Sequence, residues 1–224
     1  MFLRKIKDIR ISNKKISVIR DADISIDDLE NQINQIVYSP ARDNKNLEEE
    51  NAKLPPFIQV FYFLFFSYLI IPSEIDFWKT YLTWVGGENE NGEVEIEGVK
   101  YKSEGLKSRL NRTYPSLIRD LHFLYLIEAS KKFEQVDYSM DRDYFNGLDL
   151  RVTHNNKEVF ISLFIDTLRS RYFKQKKTKR HNYSTVHEIE FIVDFDSLTR
   201  IGSIYVLNQS HIKLLENILN EVNE

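Results

Sequence analysis

The chain contains no cysteine. Disulfides, thiolate metal sites and thiol catalysis are therefore excluded, and a cytoplasmic setting is favoured over a secreted one. Glycine and proline are scarce, at 7 and 5 of 224 residues. The glycines are too dispersed for a phosphate-cradling loop or a Gly-x-Ser-x-Gly elbow. His154, His181, His187 and His211 show no metal-ligand spacing. The start, "MFLRKIKDIRISNKK", lacks the apolar core of a secretory signal. No apolar run reaches the roughly 20 residues that a membrane-spanning helix needs. The nearest is "PFIQVFYFLFFSYLII", Pro56 to Ile71, interrupted by Gln59, closed by Pro72 and without a close Lys or Arg cluster. It is expected as a buried helix, with a membrane segment as the lesser alternative.

What is present suits a folded domain with a sizeable core. The chain is 42% hydrophobic and 29% charged, with 15 Phe and 12 Tyr. The net charge is −3, so local charge rather than the total must decide whether a polyanion binds.

The first half reads as weak strands over Ile9–Ile19, then a helix with Leu29, Ile33 and Ile36 on one face and Ser25 or Asp27 at its start. A polar loop, "SPARDNKNLEEENAKLPP", leads to the apolar helix. A second helix opens at Ser73 with Asp76 three residues on, a capping-box pattern. A small hairpin follows, with strands at Val94–Ile96 and Val99–Tyr101.

The second half opens with a helix, Tyr114–Ser130, with Pro115 in its first turn and Leu117, Leu121 and Leu124 on one face. Strands are expected at "FEQVDYSM", "GLDLRVT", "EVFISLFI", "HEIEFIVDF" and "GSIYVL". Helical spacing returns over 166–180, and "SHIKLLENILNEV" closes the chain as a helix. This order predicts an α/β (α+β) fold with a mixed central sheet flanked by helices. A mostly helical region with a small hairpin, residues 1–108, precedes an α/β domain, residues 109–224.

Within "FNGLDLRVTHNNKEVFISLF", Phe145 to Phe164, a two-residue turn at Asn155-Asn156 sets His154 opposite Lys157, Val152 opposite Val159 and Asp149 opposite Ser162. Alternation then puts Leu148, Leu150, Val152, Val159, Ile161 and Leu163 on a core face. Asp149, Arg151, Thr153, Phe160, Ser162 and Phe164 take the other, half-polar face.

Helix, three strands, helix, strand, with "NGLDLRV" carrying an acid on the second strand, resembles the PD-(D/E)xK nuclease-like superfamily. The resemblance covers about residues 114–207 and implies a restriction-endonuclease-like core. It makes Asp149 a metal-binding acid and implies Mg²⁺ as cofactor. The acid and lysine of the following strand fall on Ser162 and Phe164, so the motif is degenerate. Glu128 on the preceding helix, Asp166 as a second metal ligand and Lys174 on the next helix are the candidates to restore a catalytic set. Against this, Asp149 reads equally as a buried acid bonded to Arg151, Ser162 or a helix end. Asp166 reads more readily as a helix-start acid.

"LRSRYFKQKKTKRHN" holds Arg169, Arg171, Lys174, Lys176, Lys177, Lys179 and Arg180 and no acid. Such a run tracks a phosphate backbone by counterion release, or is a solvated helix face. Tyr172, Phe173 and Tyr183 could stack on bases or anchor the helix. Arg112, Arg119 and His122 could extend the patch, though His122 reads as a partly buried helix residue rather than a base. Two functions follow. One is a nucleic-acid-binding protein, DNA preferred over RNA, acting as an atypical Mg²⁺ endonuclease or an inactive relative in a restriction, phage-defence or mobile-element setting. The other is a non-enzymatic scaffold or interaction subunit, as a homodimer or with a partner protein. No membrane partner is expected.

Overall fold

The computed structural model describes residues 5–11, 14–19, 24–38, 57–96, 98–138, 148–167, 171 and 188–223. They form two compact units. The first comprises residues 1–23 and 35–118, the second residues 24–34 and 119–224. The second unit is therefore discontinuous in sequence, and its early piece is a single helix.

In the first unit, β1 (Lys5–Ile11) and β2 (Lys14–Ile19) pair antiparallel. Helix α2 (Phe57–Tyr68) is the apolar stretch. Its residues Val60, Phe61, Tyr62, Phe65 and Phe66 are buried, as expected of a helix apolar on most sides. No helix among the described residues is long and apolar enough to cross a membrane. Helix α3 (Glu74–Val85) begins on Ser73, whose hydroxyl accepts from Asp76 N–H at 3.1 Å and donates to the Asp76 carboxylate at 2.7 Å. It stops at Gly86, where φ is 99°, a left-handed cap. Phe61 sits edge-on to Phe77 at 5.8 Å and to Tyr114 at 6.1 Å. The Tyr114 hydroxyl donates to Pro72 O at 2.7 Å, so this aromatic cluster buries its phenol with a partner. Strands β3 (Glu93–Ile96) and β4 (Val99–Lys102) make the expected hairpin.

Helix α4 spans Ser103–Ser130, so Pro115 lies inside it rather than in its first turn. An internal proline removes one backbone donor and normally kinks or ends a helix. Here apolar residues on both sides of it, Leu106, Leu110, Leu117, Ile118 and Leu121, are all buried, and packing outweighs the local cost.

The second unit is built on a four-stranded mixed sheet in the order β5 (Gln135–Asp137), β6 (Leu150–His154), β7 (Lys157–Asp166), β8 (Glu188–Asp194). The first three strands are antiparallel, and β8 runs parallel to β7. Asn155 and Asn156 have φ of 52° and 60°, the signature of a type I′ turn. The turn sets the register Leu150–Ile161 through His154–Lys157. On the core face, Leu150, Val152, Val159, Ile161, Phe191 and Val193 pack with Phe123, Leu124 and Ile127 of α4. The closing helix α5 (Gln209–Asn223) adds Ile212, Leu215 and Leu219. The strand expected at "GSIYVL" does not join this sheet. As β10 (Ile204–Val206) it pairs with β9 (Thr199–Ile201) in a separate hairpin.

Helix α1 (Ile26–Asn34) completes the second unit. Ser25 and Asp28 cap it reciprocally: Asp28 N–H donates to Ser25 Oγ at 3.0 Å, and Ser25 Oγ to the carboxylate at 2.7 Å. Leu29 and Ile33 are fully buried, each contributing about 1.5–3 kcal/mol. Ile36, expected on the same face, falls beyond the helix end. Nine residues are too few for an isolated helix, so docking maintains α1.

The tip of the β9–β10 hairpin meets the end of α1. Gly202 has φ 56°, and a Cβ there would lie 2.9 Å from Asn34 O. Gly202→Ala is expected to lower the unfolding free energy by about 2 kcal/mol, from left-handed strain plus the clash. The urea midpoint reads this, and an unchanged midpoint would contradict the close packing.

Candidate functional site on the polar side of the sheet

The side of the sheet away from the core carries Asp137 of β5, Arg151 of β6, Glu158, Ser162, Phe164 and Asp166 of β7, and Glu188, Glu190, Ile192 and Asp194 of β8. Strand alternation and the observed pairings put them there. Arg151 organises one corner. Its guanidinium donates to the Asp137 carboxylate and to Glu158 Oε1 at 2.9 Å. The hydrogen bond to Asp137 raises its already high pKa, so the charge is permanent. Ser162 Oγ donates to Glu188 Oε1 at 2.5 Å. At the far end, Asp166 and Asp194 are register partners, a like-charge pairing. Arg171 offsets it with two bonds to Asp166, at 2.5 and 2.6 Å.

Asp149 does not stand opposite Ser162 as the hairpin pattern predicts. Pairing ends at Leu150, and Asp149 N–H donates to Ile161 O at 2.9 Å, the register partner of Leu150. The Asp149 carboxylate instead takes the next backbone donor of β7, with Leu163 N–H at 2.5 Å from Oδ2. The acid thus supplies an acceptor where the backbone ladder stops. A carboxylate is the stronger choice, because a bond to a charged acceptor outweighs a neutral one.

This arrangement separates the sequence-derived candidates. Asp166 lies three residues beyond Leu163, about 10 Å along the strand. A single divalent cation holds its oxygen ligands at about 2.0–2.6 Å. Glu128 sits in the last turns of α4, the layer that packs on the core face. Asp166 is bound on both oxygens by Arg171, whose own backbone N–H donates to Thr167 O at 3.0 Å, a helical bond just after Asp166. Among the described residues no three His, Asp or Glu side chains gather as a metal-binding group. No step is therefore derived through the Mg²⁺ that the resemblance implies. Arg169, Lys174, Lys176, Lys177, Lys179 and Arg180 lie outside the described residues.

The structure adds a serine–histidine contact that has no sequence motif. Asn208 N–H donates to His211 Nδ1 at 3.0 Å, so the neutral ring carries its hydrogen on Nε2. Nε2 lies 2.9 Å from Ser197 Oγ, whose own hydrogen goes to Asp194 O at 2.6 Å. The imidazole is thus a donor to the serine and cannot act as its base. The unit closes the turn Phe195–Ser197 onto α5 rather than forming a nucleophile. His122 is also no exposed base: it is 1% exposed, with Nε2 3.0 Å from Glu30 Oε1.

Two outcomes follow from this geometry. Asp149→Ala leaves the Leu163 N–H without its acceptor and is expected to cost about 1–3 kcal/mol in unfolding free energy. Asp149→Asn, which keeps an acceptor oxygen, should cost less, and equal losses in chemical denaturation would contradict the ladder-ending role. Burial pushes the His211 pKa below its ordinary 6.5. The unfolded state then binds more protons just below that value, and stability falls with falling pH. The melting temperature should drop between pH 7.5 and 5.5, and His211→Gln should reduce that drop.

Comparison of the chain with protein-family models, curated proteins and solved structures found no match.

Proposed function

We propose that the protein binds nucleic acid through a PD-(D/E)xK-like, restriction-endonuclease-like domain that serves as a binding scaffold without metal-dependent cleavage. The observation that carries the reading is the topology of the second unit. A helix leads into three antiparallel strands, and a crossover returns a fourth strand parallel to the third. This supports the scaffold half of the reading. The positions where the resemblance wants an acid and a lysine hold Ser162 and Phe164, and the Asp149 carboxylate is engaged by a backbone N–H. These support binding without catalysis.

The charge distribution supports a contact along the basic run. The polar side of the sheet is acidic and would repel phosphate, whereas Arg169, Lys174, Lys176, Lys177, Lys179 and Arg180 bring cations with no intervening acid. Phosphate contact therefore runs along residues 169–180. DNA is the expected polymer, as the resemblance implies.

Neutralising six phosphates predicts a slope of about −5 for the logarithm of the association constant against the logarithm of salt concentration. Fluorescence anisotropy on labelled duplexes of unrelated sequence measures it. Replacing Lys176, Lys177, Lys179 and Arg180 by Gln should abolish most binding, whereas Asp149→Asn should preserve it. Cleavage with Mg²⁺ or Mn²⁺ that Asp149→Asn removes would overturn the non-catalytic half. Salt-insensitive or absent binding would overturn the reading and leave the protein-scaffold alternative.

A further inference from the structure

Helix α1 reaches the second unit from a stretch bounded on both sides by residues of the first unit. Leu29 and Ile33 are its buried apolar residues, and Gly202 fits against its last carbonyls. A polar tie joins it to α4: Glu30 Oε1 lies 3.0 Å from His122 Nε2.

The His122 ring has an unusual environment. It is 1% exposed, and its other nitrogen, Nδ1, is buried with no hydrogen-bond partner among the described residues. In the neutral ring with hydrogen on Nε2, that hydrogen goes to the Glu30 carboxylate and Nδ1 presents only a lone pair. Protonation adds a hydrogen at Nδ1 with no acceptor, and a buried unmatched donor is costly. It also places a charge in a desolvated site.

The neighbouring charges do not relieve this. On α1, Glu30 faces the ring, while Asp27 and Asp28 are exposed. On α4, the Arg119 guanidinium is turned to Tyr205 O of β10 at 2.9 Å, and Asp120 acts on Arg119. On β9, Arg200 donates to Gly202 O at 2.9 Å. Of these, Glu30 alone favours the charged ring, and desolvation outweighs it, so the His122 pKa lies below its ordinary 6.5.

We propose that His122 is a proton-sensitive latch for α1: the neutral ring holds the helix docked, and protonation releases it from the second unit. Release frees the ring to take a proton in water at its ordinary pKa. If the docked ring stays neutral, the undocked state gains about tenfold between pH 7.5 and 5.5, with a roughly fivefold gain falling below pH 6.5.

Hydrogen exchange of the full chain, corrected for the intrinsic pH dependence of amide exchange, tests this between pH 7.5 and 5.5. Protection of amides 29–34 should fall about tenfold, while amides of β6 and β7 fall less. His122→Gln should abolish the difference, and His211→Gln should leave it in place. Loss of equal size in α1 and in the sheet would overturn the latch, as would unchanged α1 protection. If His122→Gln does not fold, NMR titration of the His122 ring in the unaltered protein decides. A pKa below 6.5 supports the latch, and one at or above 6.5 overturns it.

Discussion

The register of one hairpin governs the second unit. With φ positive at both Asn155 and Asn156, the turn twists β6 and β7 together in the right hand and fixes which residues oppose. Side chains alternate along a strand, so a slip of one residue would send Val152 and Val159 away from α4 and bring Arg151 and Phe160 inward. The correct parity is then passed to β8, whose Phe191 and Val193 join the same core. The stacked rings of Phe123 on α4 and Phe191 on β8, 5.7 Å apart, tie the helix layer to the sheet.

The opposite side of the sheet is arranged by charge compensation rather than convergence. Arg151 sits between Asp137 and Glu158, and Arg171 binds Asp166 where it would otherwise face Asp194 uncompensated. Each arginine stabilises acids already placed by strand alternation. Catalytic metal sites do the reverse, holding acids together so that a cation is needed.

Local chemistry was legible in the sequence. The Asn155-Asn156 turn, the Ser73–Asp76 cap and the burial of most of α2 each depend on residues within a few positions. The mixed α/β character followed from the order of such elements. Three features were not legible because they depend on distant partners. Pro115 appeared to start a helix, since nothing nearby reveals the packing that carries α4 through it. Asp149 seemed to belong to a regular ladder, and its early end is visible only in the bond to Ile161. The amphipathic pattern of α1 required burial somewhere but could not name β9, β10 and α4 as the place.

The discontinuity of the second unit has a consequence for biosynthesis. Helix α1 leaves the ribosome roughly 170 residues before Gly202, against which it packs. At about 5–20 residues per second, that is a wait of roughly 10–30 s. During that interval α1 lacks the β9–β10 part of its docking site, and a nine-residue segment cannot hold its helix alone. The earliest-made part of the second unit is thus among the last to acquire its complete docking site.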